Sequence, residues 1–102
     1  MERLDSISFQ IISSVGTARS MYIEAIQAAK RGDFSGADAL IVEGTLLFLQ
    51  GHHAHAQLIQ QEANGEKTEL SLLFMHAEDL LMSTDTFKIL AEEFIELYKR
   101  LG

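Results

Sequence analysis

The sequence predicts an all-α protein, an antiparallel three-helix bundle, and three observations predict it. Apolar residues recur in steps of three and four along most of the chain, the spacing that lines one face of an α-helix. The 102 residues include no proline and only seven glycines, so long stretches run without a breaker. No segment alternates apolar and polar residues for long enough to argue for a strand.

The first helix, roughly residues 4–31, is read from Ile7, Ile11, Val15, Ala18, Tyr22, Ala25 and Ala29. Lys30-Arg31-Gly32-Asp33 then supplies cations for a helix C-terminus, a glycine to stop it and an aspartate to cap the next helix. The second, roughly 34–63, follows Phe34, Ala37, Ile41, Gly44, Phe48, Gly51, His55 and Leu58. Ala63-Asn64-Gly65 ends it with residues that tolerate positive φ. Thr68 or Ser71 caps the third, roughly 69–101, whose stripe runs Leu70, Leu73, Ala77, Leu80, Thr84, Phe87, Ala91, Phe94, Tyr98 and Leu101. Residues 1–102 therefore read as one domain of three helices, each about 45 Å long at about 1.5 Å per residue. Such a rod has much surface for little core. Phe9, Ile12, Met21, Leu46, Leu47, Leu72, Phe74 and Leu81 also fall outside the stripes. Some of them widen the core face; the surplus predicts a second apolar surface, buried in a homo-oligomer.

Composition narrows the function. A formal charge of −7 argues against a nucleic-acid partner, which needs Lys and Arg against its phosphates. Most of that charge, −5, lies in residues 52–102. The absence of cysteine excludes disulfide scaffolds, thiol catalysis and cysteine-type zinc sites. No apolar run approaches the ~18 residues that would insert in a bilayer, and the charged Met1-Glu2-Arg3-Leu4-Asp5 start does not predict a signal peptide. A cytoplasmic location is expected.

Four histidines hold most of the remaining chemistry. His52 and His55 are three residues apart and share a helix face, while His53 projects about 100° away. They could join an acidic residue from another helix in a metal site, but no HExxH pattern is present and packing or an interface is the commoner role. His76 stands alone in the third helix with Asp79 one turn on. It reads either as a polar position in an apolar helix or as a nucleophile, since a neutral ring nitrogen can take a phosphoryl group and pass it on. No glycine-rich nucleotide loop and no hydrolase elbow motif occurs. Pairs such as Glu92-Glu93 read as solvated surface.

One ordered combination of fragments goes further. His52-His53-Ala54-His55-Ala56-Gln57-Leu58-Ile59-Gln60, Glu62-Ala63-Asn64-Gly65-Glu66-Lys67, Leu70-Ser71-Leu72-Leu73 and His76-Ala77-Glu78-Asp79-Leu80-Leu81-Met82 resemble the enzyme IIA component of the lactose/cellobiose family. Ala18-Arg19, Glu24-Ala25 and Gly32-Asp33-Phe34 extend the likeness over nearly the whole chain. This family belongs to the bacterial phosphoenolpyruvate-dependent sugar phosphotransferase system. The resemblance implies a homotrimer of three-helix bundles in which His76 accepts the phosphoryl group. It implies that Asp79 meets its two symmetry mates on the trimer axis, with one divalent cation, Mg²⁺ foremost, per trimer. Two positions depart from the family pattern: Gly51 stands for alanine before His52, and Leu80 for a polar residue after Asp79.

The function so implied is a phosphoryl relay, a phosphotransferase component and not a self-contained enzyme. His76 takes phosphate from phospho-HPr and gives it to a cysteine of a cognate enzyme IIB, beside a membrane enzyme IIC that admits a β-disaccharide. Cellobiose or chitobiose is favoured over lactose. The rival readings are a non-catalytic helical adaptor and a histidine-phosphotransfer domain of two-component signalling. Retention of both His76 and Asp79 counts against the first, and the surroundings of His76 differ from those usual in the second. The axial arrangement carries an electrostatic demand. Three carboxylates about 5 Å apart would repel by roughly 10 kcal/mol in all at an effective dielectric near 20. A cation, retained protons or solvent must relieve that.

Overall fold

A computed structural model describes residues 2–102 as three helices, α1 (Glu2–Lys30), α2 (Phe34–Ala63) and α3 (Leu72–Leu101), in a rod of 52 × 20 × 19 Å. Both turns use the same device. Asp33 N–H donates to Ala28 O at 2.9 Å and Gly32 N–H to Ala29 O at 3.0 Å, closing a Schellman motif whose glycine has φ +83°. At the end of α2, Glu66 N–H reaches Gln61 O and Gly65 N–H reaches Glu62 O, each at 3.0 Å, with Gly65 at φ +92°. These two glycines are required by their backbone, since a side chain there would be strained. Asp33 caps α2 by accepting from Gly36 N–H at 3.0 Å. Ser71, not Thr68, caps α3, its Oγ accepting from Phe74 N–H at 3.0 Å. The helix accordingly starts at Leu72, three residues later than the spacing suggests, because residues 66–70 run as a non-helical crossing between α2 and α3.

α1 is the shared helix. Its entire predicted stripe is buried, with Ile11, Val15, Ala18, Tyr22 and Ala25 wholly inaccessible. α1 packs along both neighbours, whereas α2 and α3 meet each other sparingly. Gly44 and Gly51 let α2 come close: a Cβ on Gly44 would stand 2.9 Å from Tyr22 Cε1, and one on Gly51 would run into Val15 Cγ2. Tyr22 completes this contact through its hydroxyl, 3.1 Å from Thr45 Oγ1. Burial pushes its phenol above the ordinary value, against the opposing effect of that hydrogen bond.

The face of α3 needs correction. Leu70, Phe94 and Leu101 belong to the expected stripe yet are exposed, while Phe74 and Leu81, read as surplus, are buried together with Ile95. Ala77, Thr84 and Ala91 are common to both readings and buried. α3 is apolar on two sides, so its spacing identifies two seams without saying which one meets α1. The outward seam includes Leu72, Met75, Met82, Leu90 and Leu97, and α2 has its own in Val42, Leu46 and Leu49. This is the second apolar surface. No helix among the described residues is long and apolar enough to cross a membrane.

Two stability predictions follow from the packing. Gly51→Ala is expected to destabilise the bundle by about 1–3 kcal/mol through overpacking on Val15. Val15→Ala should relieve the clash, so that in thermal denaturation the double variant loses less than the two single losses together. Thr84 is the other site, because its buried Oγ1 has no hydrogen-bond partner. Thr84→Val should raise stability by about 1–2 kcal/mol, read as a higher midpoint in the same measurement.

Candidate functional site

His76 lies in the second turn of α3, and its neighbours dictate where it points. Phe74 and Ala77 are buried against the rest of the bundle, so the intervening residues Met75 and His76 face solvent. Asp79 follows one turn later on the same side and is exposed as well. Among the described residues neither side chain makes a hydrogen bond or ion pair within its own chain. The carboxylate therefore does not fix the tautomer of His76 here. Asp79 sits within the outward seam of α3, between Met75 and Met82, an ionisable group on an apolar face.

The second-helix histidines divide. His52 stacks on Phe48 with ring centroids 6.3 Å apart and an interplanar angle of 15°. His55 lies 6.5 Å from it, tilted by 34°, and faces α3 instead. His55 Nδ1–H donates to Glu78, with the two carboxylate oxygens 2.6 and 2.7 Å away. His53 is exposed and accepts from Gln57 Nε2 at 3.4 Å. An acidic residue from another helix does meet His55, as the spacing allowed, but the pair is a hydrogen bond. Among the described residues no group of three or more His, Asp or Glu within one chain is arranged to hold a metal ion. His52 and His55 take packing and hydrogen-bonding roles, the commoner of the two readings. Glu78 is the residue that sequence reasoning underrated, and its position beside the core face on a helical wheel was the available signal.

Leu80 is half-buried and packs on the core. Its departure from the family pattern thus leaves an apolar anchor where a polar side chain was expected. Three principal grooves mark the surface, among them one of about 360 Å³ between α2 and α3 that includes Phe48, His52, His55 and Asp85. None of the three is lined by His76 or Asp79. An exposed side chain outside these grooves is more accessible to another macromolecule than suited to enclosing a small substrate.

Comparison with known proteins agrees with this geometry. Residues 6–99 match the family described as "PTS system, Lactose/Cellobiose specific IIA subunit". The lichenan-specific phosphotransferase enzyme IIA component of Bacillus subtilis is 45% identical over 98% of this chain and 91% of its own. The cellobiose-specific enzyme IIA of Bacillus anthracis superposes with a TM-score of 0.93 at 48% identity, covering 96% of this chain and 90% of that one. The chitobiose IIA in the IIA–HPr complex from the Escherichia coli phosphotransferase system gives 0.83 at 32% identity, covering 96% and 95%. The three-helix chain is thus a phosphotransferase component of a sugar uptake system. It belongs to the lactose/cellobiose-specific enzyme IIA family.

Proposed function

We propose that this chain is a phosphoryl carrier that takes phosphate from phospho-HPr onto His76 and passes it to a cysteine of an enzyme IIB. The observation that carries the reading is the placement of His76, exposed on α3 with Asp79 exposed one turn further on the same side. A neutral ring nitrogen attacks phosphorus as the donor's P–N bond breaks, and the donor imidazole keeps that electron pair. In the second transfer a thiolate attacks, an S–P bond forms, and His76 recovers its lone pair. The chitobiose relative's complex with HPr supports the donor. The lichenan- and cellobiose-specific relatives support a β-disaccharide entering through a membrane enzyme IIC. Acidity of −5 in residues 52–102 suits a basic donor surface.

The working unit in this reading is a cytoplasmic homotrimer. Exposed Leu72, Met75, Met82, Leu90 and Leu97 on α3 supply a seam that a second and third copy would cover. Each such side chain gains about 1.5–3 kcal/mol on full burial. Asp79 lies in that seam without an intrachain partner, which fits a shared cation held by carboxylates from three subunits. Oxygen donors favour Mg²⁺, Ca²⁺ or Mn²⁺ over zinc. When bound, such an ion would offset the mutual repulsion of the carboxylates.

Two experiments test this. Incubation with labelled phosphoenolpyruvate, enzyme I and HPr should place label on the wild type, while His76→Gln folds and accepts none. Substitution of His52, His53 or His55 should leave acceptance at least partly intact, and stoichiometric label on His76→Gln would refute the assignment. In sedimentation, the wild type should run near three times its 11.4 kDa chain mass and weaken with EDTA. Asp79→Leu, with packing atoms in place of charge, should stay trimeric without metal. Monomers of Asp79→Leu would show that the carboxylate holds the trimer together.

A further inference from the structure

The hydrogen bond from His55 to Glu78 is the most sheltered side-chain link between α2 and α3 among the described residues, with the two side chains only 23% and 20% exposed. The other link, Lys99 to Asp38 at 3.2 Å, lies toward the opposite end of the rod and is more open to water. α3 is seated along α1 through its buried face, whereas α2 and α3 pack little on each other, so few contacts hold the side of α3 that faces α2. At the end that carries His76, the pair supplies a directional one.

Glu78 follows His76 by two residues. At about 100° per residue their side chains leave the helix roughly 200° apart, on opposite flanks. A hold on one flank therefore sets the aim of the other. At a side-chain radius of about 5–6 Å, a roll of about 20° carries a tip by about 2 Å. Misplacement of reacting groups by about 1 Å can cost on the order of 100-fold in rate. Phe74 and Ala77 fix the depth of this end of α3 in the core but present apolar atoms that tolerate sliding. The bond to His55 adds a directional contact on the side facing α2.

We infer that His55 and Glu78 form a positioning pair that fixes the roll of the first turns of α3 and so aims His76 at its phosphoryl donor. The inference rests on the acceptor reading of His76. Neither member of the pair touches the transferred group; both act through the backbone of α3. Asp79, one residue beyond Glu78, is aimed by the same hold.

The test is rapid-quench transfer of labelled phosphate from phospho-HPr to the wild type, His55→Leu, Glu78→Leu and the double variant His55→Gln/Glu78→Gln. One single variant keeps the carboxylate and the other removes it, so an equal loss in both reports the link and not the charge. Each single variant should lower the maximal rate by about 10-fold, with the half-saturating concentration of phospho-HPr unchanged within about 2-fold. The double variant can rebuild an amide–amide hydrogen bond and should return to within about 3-fold of the wild type. Wild-type rates in both single variants, with label on His76 throughout, overturn the inference and leave the acceptor reading standing. A raised half-saturation at unchanged maximal rate overturns it in favour of donor docking. So does a loss of rate that tracks a loss of helix signal in circular dichroism, since the pair would then be a stability contact. No label on the wild type overturns the acceptor reading, and the inference with it.

Discussion

The close approach of α2 to α1 at Gly44 and Gly51 determines much of what the molecule can offer its surroundings. Two positions without a Cβ let α2 settle onto Tyr22 and Val15, and those side chains are wholly inaccessible. α1 thereby spends its apolar edge inside the bundle, shared between two neighbours. Gly51 is also the position at which the resemblance led to the expectation of an alanine. Val15 occupies the space that such a methyl group would need, so the glycine and the valine form one compensated contact. Helix propensity is given up there, about 1 kcal/mol relative to alanine, for interhelical packing.

With the stripe of α1 enclosed, most of the apolar surface that remains belongs to α2 and α3, with Phe9 and Ile23 of α1 beside it. A lone rod of this shape cannot cover it, because three helices in a section of 20 × 19 Å leave each one partly open to water. The seam of α3 is mostly apolar but carries Asp79 in its first half and Thr86 and Glu93 further on. A polar residue in an apolar seam costs stability and specifies register, the use best attested for such residues in helical assemblies. In the trimer reading, Asp79 so placed would favour one alignment of the three copies of α3.

The helices were legible because the stripes read for α1 and α2 are the faces that pack inward. The stripe Ile7, Ile11, Val15, Ala18, Tyr22, Ala25 and Ala29 is the face the structure buries. α3 defeated the same reading. Its two apolar seams are interleaved, and only contact with α1 decides that Phe74 and Leu81 go inward while Phe94 and Leu101 face out. His76 and Asp79 were legible as a one-turn pair, since neighbours on a helix surface follow from spacing alone. The link between His55 and Glu78 was not, because it depends on the relative roll of two helices joined by a crossing. Periodicity constrains each helix separately and leaves that angle open.

That link also bears on how a phosphoryl group is tolerated at this end of α3. In the proposed phospho form, His76 carries a dianion with acids near it in the chain: Glu78 and Asp79 lie two and three residues on, and Glu69 precedes the helix. A carboxylate about 10 Å from a dianion, at effective dielectrics between about 20 and 80, raises its energy by roughly 1–3 kcal/mol. Glu78 is turned to the opposite flank and engaged by His55 Nδ1–H, which draws its charge towards α2. Asp79 faces outward on the apolar seam, where in the trimer reading a cation would answer it. Leu80 adds no charge, being anchored in the core. A carrier must release its group as readily as it accepts it, so the phospho form should be neither trapped by cations nor expelled by unanswered anions. Among the described residues, no lysine or arginine is paired to either carboxylate, and the nearest basic side chain in sequence after His76 is Lys88. In the carrier reading, His76 thus has acids near it in the chain, one of them engaged by His55, and no base paired to them that would hold the phosphate, an arrangement suited to passing it on.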